Sequence, residues 1–280
     1  MNKQMVLTES TIDQFQHNLE LEEKSKATIS KYMHDVWEFY NFLRGRELTK
    51  ELVISYKESN QNAGLSARTV NARLAAVNHL LSFLGLPEMR AKNLRVQQCV
   101  FSRRERTLTR QDYYALLTKA GEDSLLTHVM ETICSTGIRV SELQFITVES
   151  LEEGKAVVNN KGKTRTILLT GKLIKKLRKW CAARHITAGA VFVGRNGKPL
   201  DRSVIWQMMK KLAAQTKVSP RKVFPHNLRK LFARTFYKRS NNIAQLADLL
   251  GHSSVDTTRI YIMTTPDEHR QYLEGLGLII

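Results

Sequence analysis

Along the first third of the chain, apolar residues recur with a helical period. Ile29, Tyr32, Met33, Val36, Tyr40 and Leu43 fall at i, i+3, i+4, i+7, i+11 and i+14, one face of an α-helix over residues 19–43. Ser25 or Thr28 stands where a capping side chain would start it. Val70, Leu74, Val77, Leu81 and Leu84 repeat the pattern over 65–84, with Ser66 at the start and Gly85-Leu86-Pro87 as the stop. The polar face of that helix carries Arg68, Asn71, Arg73, Asn78 and His79. A shorter helix is expected over 49–59. These segments predict a small all-helical unit over residues 1–90.

The period is lost over 91–106, a basic stretch that includes Arg103, Arg104 and Arg106 and reads as a linker. Helical spacing resumes beyond it. Thr109 with Asp112 three residues on has the form of a capping box. A mostly apolar helix over 125–135 breaks at Gly137. The strand signals lie in the middle. Ala156-Val157-Val158 and Thr166-Ile167-Leu168-Leu169 flank a polar segment containing Gly162, which predicts a β-hairpin with a lysine-rich tip. Residues 190–193, followed by Asn196-Gly197, predict a third short strand. Further helices are expected over 203–214, 226–238 and 242–250, the last two starting after Pro225 and ending at Gly251. The fold class is therefore mainly α with a small antiparallel sheet, and the second unit spans 107–280.

Composition narrows the function. The 280 residues hold 44 Lys+Arg against 26 Asp+Glu, a net charge of +18. Such an excess favours a polyanionic partner, most often nucleic acid. An anionic membrane surface would call for one concentrated basic amphipathic helix, and here the charge is spread along the chain. No apolar run is long enough to span a bilayer, and the first ten residues do not read as a secretory signal. Cys99, Cys134 and Cys181 are widely spaced and form neither a disulfide framework nor a metal knuckle, which is consistent with a cytoplasmic setting.

Four segments carry candidate chemistry: residues 136–143 (TGIRVSEL), the hairpin tip Lys161-Gly162-Lys163, Pro225-His226-Asn227-Leu228-Arg229, and Leu249-Leu250-Gly251-His252 followed by Thr257-Thr258-Arg259-Ile260-Tyr261. Cleaving a phosphodiester requires neutralising charge on the non-bridging oxygens, and planar guanidiniums grip two oxygens at once. It also requires a nucleophile and a proton donor for the leaving oxygen. Arg139, Arg229, two histidines, a lysine and a tyrosine are such a set. His226 and Arg229 share a helix face at i, i+3. Gly137 is expected to turn the chain into a helix start near Arg139, where free N–H groups favour anions. Singly, each of these residues is unremarkable; together they occur in one order.

That order and spacing resemble the tyrosine recombinases of the phage integrase family, in layout its short Xer-like members, over nearly the whole chain. The resemblance implies a two-domain C-shaped clamp: a SAM-like core-binding domain, then a catalytic domain. It implies that Tyr261 attacks the scissile phosphate and forms a 3′-phosphotyrosyl link, with Arg139 and Arg229 on the non-bridging oxygens. Lys161 would protonate the leaving 5′-oxygen, His226 would act as acid/base, and His252 would hydrogen-bond the phosphate. Lys163 is the competing lysine, and Tyr272 a competing tyrosine without the spacing from His252. Arg68, Arg73, Arg103, Arg104 and Arg106 are expected on the DNA backbone. No cofactor or metal is implied. The implied partners are duplex DNA with inverted half-sites, a homotetramer on two duplexes and an accessory directionality factor. The apolar tail (Leu273, Leu276, Leu278, Ile279, Ile280) either packs on its own domain or, as the resemblance implies, docks into a neighbouring protomer. Two other readings share this fold: a catalytically silent DNA-binding protein and a type IB topoisomerase-like nicking-closing enzyme. Integration, excision, inversion and resolution share the chemistry, and the sequence does not separate them.

Overall fold

The computed structural model describes residues 5–96, 104–160, 163–194 and 196–277. The chain forms two compact units, residues 1–98 and 99–280. Among the described residues, no helix is long and apolar enough to cross a membrane.

The first unit is a four-helix cluster: α1 (Glu9–Leu21), α2 (Lys26–Leu43), α3 (Lys50–Asn62) and α4 (Ala67–Phe83). Each helix starts on a hydroxyl side chain (Thr8, Ser25, Thr49 and Ser66) that accepts a hydrogen bond from a first-turn N–H. The expected helix over 19–43 is thus two helices, with Ser25 capping the second. The periodic faces of α2 and α4 meet Phe15 and Leu19 of α1 in one core. Much of the polar face of α4 is engaged rather than solvated. Asn71 exchanges hydrogen bonds of 2.8 and 2.9 Å with the backbone of Leu94, and Asn78 does the same with Ala91 at 3.0 Å. Two asparagines therefore serve as a strand-like partner for the segment leaving the unit, where the aperiodic sequence reads as linker.

The second unit begins with α5 (Arg110–Ala120), which opens on the expected Thr109–Asp112 capping box, and α6 (Leu125–Thr136). A 3₁₀ turn (Val140–Phe145) and α7 (Val148–Glu153) lead into the hairpin β1 (Lys155–Asn160) and β2 (Lys163–Leu168). The strands pair antiparallel from Lys155↔Leu168 to Asn160↔Lys163. They run further into the polar segment than its composition suggests, so Arg165 is a strand residue opposite Val158. Then come α8 (Gly171–Ala183), α9 (Arg202–Ala214), α10 (Pro225–Ser240), α11 (Ile243–Leu250), α12 (Val255–Ile262) and α13 (Pro266–Glu274). The expected third strand is absent among the described residues. Ala190 and Val193 make only isolated bridges, to Thr147 and Pro199, because the apolar run is too short to sustain a ladder before Gly194.

The main core gathers α6, α8, α9 and α10 around Met130, Ile133, Leu177, Met209 and Leu228. A smaller cluster of Ala233, Leu246, Leu250 and Tyr261 ties α10, α11 and α12 together. α13 buries none of its residues, and Tyr272, Leu273 and Leu276 are exposed.

Candidate active site

The end of α6 sets the first arginine. Gly137 closes that helix in the left-handed region at φ 66°, and a Cβ there would lie 2.5 Å from the Phe232 ring. Glycine is required on both counts. Two residues on, Arg139 precedes the 3₁₀ turn. Its backbone N–H donates to Glu142 Oε2 at 2.9 Å and its Nη1 to Glu142 Oε1 at 2.8 Å. The N–H expected to face an anion is thus already taken by a carboxylate. Nη2 of Arg139 donates to the Gly251 carbonyl at 3.2 Å.

Glu142 is 1% exposed and also accepts from Arg165 Nη2 at 2.5 Å. Burial pushes its carboxyl up, but hydrogen bonds from Arg139 and the Arg165 charge outweigh that and hold it below the usual carboxylate range. Glu142 lies within the 136–143 segment but the sequence assigns it no role, and Arg165 is not evident there as a site residue. The one local signal is the i, i+3 spacing of Glu142 from Arg139.

Arg229 projects from α10 into the interior and is 1% exposed. It donates through Nη1 to the Gly137 carbonyl and through Nη2 to the Leu250 carbonyl at 2.6 Å and to His252 Nε2 at 3.0 Å. Among the described residues its Nε is buried without a partner. Burial, then the charge of Arg139, lowers its pKa to about 10, so it stays a cation at neutral pH.

His252 follows Gly251, the left-handed C-cap of α11. With Nε2 accepting from Arg229, its ring proton sits on Nδ1 and is donated to Thr258 Oγ1 at 2.8 Å. His226 lies in the first turn of α10, open to solvent on one side. Desolvation and the neighbouring cations lower both histidines to about 4, so both are neutral at pH 7. Tyr261, on α12, sits between them: ring centroids lie 5.0 Å from His226 and 4.8 Å from His252, with the Arg229 guanidinium carbon 5.8 Å from the tyrosine ring. A cavity of about 200 Å³ lined by Arg106, Lys230, Ile260 and Tyr261 adjoins the phenol.

Arg139 and Arg165 share one carboxylate, Glu142, and Arg229 reaches only carbonyls and His252, so of these three positive charges two lack a counter-ion among these groups. The depressed histidines register the same imbalance. An anion entering beside Tyr261 would relieve it.

The structure therefore brings together five of the six expected catalytic residues: Arg139, His226, Arg229, His252 and Tyr261. Lys161 and Arg103 lie outside the described residues. Arg104 and Arg106 form a 3₁₀ turn whose Arg106 carbonyl accepts from Asn227 Nδ2 at 2.7 Å, placing it beside the start of α10. In the first unit, Arg68 is exposed on α4, whereas Arg73 turns inward to Asn60 at 2.7 Å and Glu38 at 3.5 Å.

The chain is 26% identical to tyrosine recombinase XerA of Pyrococcus furiosus over 99% of its own length and 97% of that protein. It is 29% identical to tyrosine recombinase XerC of Thermodesulfovibrio yellowstonii over 92% of each. Its fold is similar to that in the crystal structure of a lambda integrase tetramer bound to a Holliday junction, with a TM-score of 0.73, 18% identity, and 93% of this chain and 78% of that one covered. The profile of the phage integrase N-terminal SAM-like domain matches residues 12–86, and that of the phage integrase family matches residues 106–268. The chain belongs to the phage integrase family.

Proposed function

We propose that this chain is a site-specific DNA recombinase that cleaves and rejoins strands through Tyr261. The observation that carries the reading is the tyrosine seated between two neutral histidines, beside arginines whose charge is not balanced. The phenolic oxygen attacks phosphorus, the bond from phosphorus to the 5′-oxygen breaks, and a 3′-phosphotyrosyl ester forms. His226, neutral at pH 7, takes the phenol proton. Lys161, assigned by its place in the motif, returns a proton to the leaving 5′-oxygen. Arg139 and Arg229 grip the non-bridging oxygens as charge develops, each contact worth on the order of 3–4 kcal/mol of barrier.

His252 has a further consequence. In the unliganded site its Nε2 accepts from Arg229, so it does not donate there. A bound phosphate draws Arg229 toward itself and raises the His252 pKa, and the protonated ring then donates to the phosphate.

The phosphotyrosyl bond retains the energy of the broken one, so a 5′-hydroxyl from a partner duplex can attack it and free Tyr261. Two such exchanges pass through a Holliday junction. We place four protomers on two duplexes, each duplex with inverted half-sites, and assign the exposed Leu273 and Leu276 to contacts between protomers; Leu278, Ile279 and Ile280 of the tail lie outside the described residues. Arg68 and Arg106, both exposed, take backbone phosphates.

The test is a nicked suicide duplex, built from the sequence the protein selects out of a randomised pool. The wild type should accumulate a covalent adduct that Tyr261→Phe does not. Binding without adduct would support the silent DNA-binding protein. Relaxation of supercoils without strand exchange between duplexes would support the nicking-closing enzyme.

A further inference from the structure

Arg165 has no part in the reaction above, yet its side chain is only 13% exposed and reaches two places at once. Nη2 donates to Glu142 Oε2 at 2.5 Å, and Nη1 to the Leu249 carbonyl at 2.6 Å. Its Cδ occupies the space a Cβ on Gly251 would need. At the C-terminus of α11, three consecutive carbonyls each receive a different guanidinium: Leu249 takes Arg165, Leu250 takes Arg229 and Gly251 takes Arg139. The carbonyl end of a helix carries partial negative charge and unsatisfied acceptors, so it suits cations. Here one helix end sets the spacing of three of them. Two of the three are the proposed phosphate grips, and the residue after the last carbonyl is His252.

We infer that Arg165 is a positioning residue: it pins the Glu142 carboxylate and the last turn of α11 to strand β2, and so fixes Arg139 and His252 relative to Tyr261. The argument is geometric. Glu142 is the one acceptor that orients both the backbone and the side chain of Arg139. Without Arg165, the Glu142 oxygen that receives the Arg139 N–H loses its second donor, and the Leu249 carbonyl loses the guanidinium it accepts. Only a planar fork can span the two acceptors; a lysine supplies the charge but a single donor point. The inference rests on the recombinase reading for what is positioned, not for the junction itself.

The charge of Arg165 also acts on His252, together with Arg229 and His226 from α10 and Arg139 just before the 3₁₀ turn; Thr258 and Tyr261 of α12 face the same ring. Two variants separate charge from geometry. In single-turnover cleavage of the suicide duplex, Arg165→Ala and Arg165→Lys should both be slower by about 10- to 100-fold, the usual effect of losing a group that orients a site residue. Affinity for the same duplex should be unchanged. In NMR titration of the full chain without DNA, the His252 pKa should rise from about 4 in Arg165→Ala and stay near it in Arg165→Lys.

Wild-type cleavage by Arg165→Lys, or an unmoved His252 in Arg165→Ala, overturns the inference. So does a rate loss matched by equal losses of DNA affinity and melting temperature, which would mark a role in folding alone. If the wild type itself forms no adduct, the recombinase reading fails, and the His252 titration still decides whether Arg165 holds this junction.

Discussion

Replacing Glu142 by glutamine keeps the shape of the side chain and removes its charge. The carboxylate receives three donors: the Arg139 N–H at 2.9 Å, Arg139 Nη1 at 2.8 Å and Arg165 Nη2 at 2.5 Å. A glutamine offers one oxygen and turns its NH₂ toward a guanidinium, so at least one donor is left facing another donor. Hydrogen bonds to a charged group contribute about 1.5–3 kcal/mol each, and neutral ones about 1 kcal/mol. Losing one and weakening the others destabilises the second unit by roughly 3–5 kcal/mol, the range for breaking a buried ion pair. At 2–4 °C per kcal/mol for a unit of this size, melting should fall by about 10 °C.

The pH dependence carries its own sign. The Glu142 pKa is held below its unfolded value, so its contribution is full above about 4.5 and is lost as pH falls through the folded pKa. The difference between wild type and Glu142→Gln should therefore persist at pH 7 and shrink in acid. Calorimetry across that range measures it. A melting temperature within 2 °C of wild type at pH 7, alongside wild-type cleavage, would refute the reasoning that this one carboxylate organises the arginines.

Gly137→Ala places a Cβ 2.5 Å from the Phe232 ring at a φ of 66°, and should cost about 2–4 kcal/mol in urea denaturation from strain and overpacking together; a loss below about 0.5 kcal/mol would contradict this. His226 and His252 titrate near 4 when folded and near 6.5 when unfolded, so the unfolded chain binds more protons between those values. Stability should then decline as pH falls from 6.5 to 4, and the His226→Gln, His252→Gln double variant should flatten that slope. Deleting residues 275–280 should impair recombination between duplexes while sparing binding to a single site; full recombination by the truncated chain would exclude the tail as the contact between protomers.

Local physics was readable in the sequence. Ser25, Ser66 and Thr109 cap helices as their positions imply, because a cap is decided within three or four residues. So were Gly137 and Gly251 as helix ends, and the motif that places Tyr261 near His252. Four helices, α1, α7, α8 and α12, were not foreseen. α1 carries its core contact on Ile12, Phe15 and Leu19 alone, and in α8 the buried Leu173, Leu177, Trp180 and Cys181 are interleaved with Lys and Arg. The third strand was expected from apolar composition, but a strand needs a partner edge, and that is a tertiary property.

The same distinction governs the site. Arg139, Arg229 and Tyr261 stand out by motif. Arg165 does not, since its acceptors lie 23 and 84 residues away in the chain. Asn71 and Asn78 likewise look like surface residues until the backbone of Leu94 and Ala91 is laid beside them. Groups that touch substrate leave a signature in residue type and order. Groups that hold them in place are defined by contacts the chain makes only when folded.

The central claim is that Tyr261 is the nucleophile and leaves a 3′-phosphotyrosyl bond. Tandem mass spectrometry of the adduct trapped on the suicide duplex, after protease and nuclease digestion, tests it most directly. The account predicts a nucleotide remnant on the peptide containing Tyr261, joined through its 3′-phosphate, with a free 5′-hydroxyl on the released strand. A remnant on Tyr272 or any other residue, or a link through a 5′-phosphate, would contradict it.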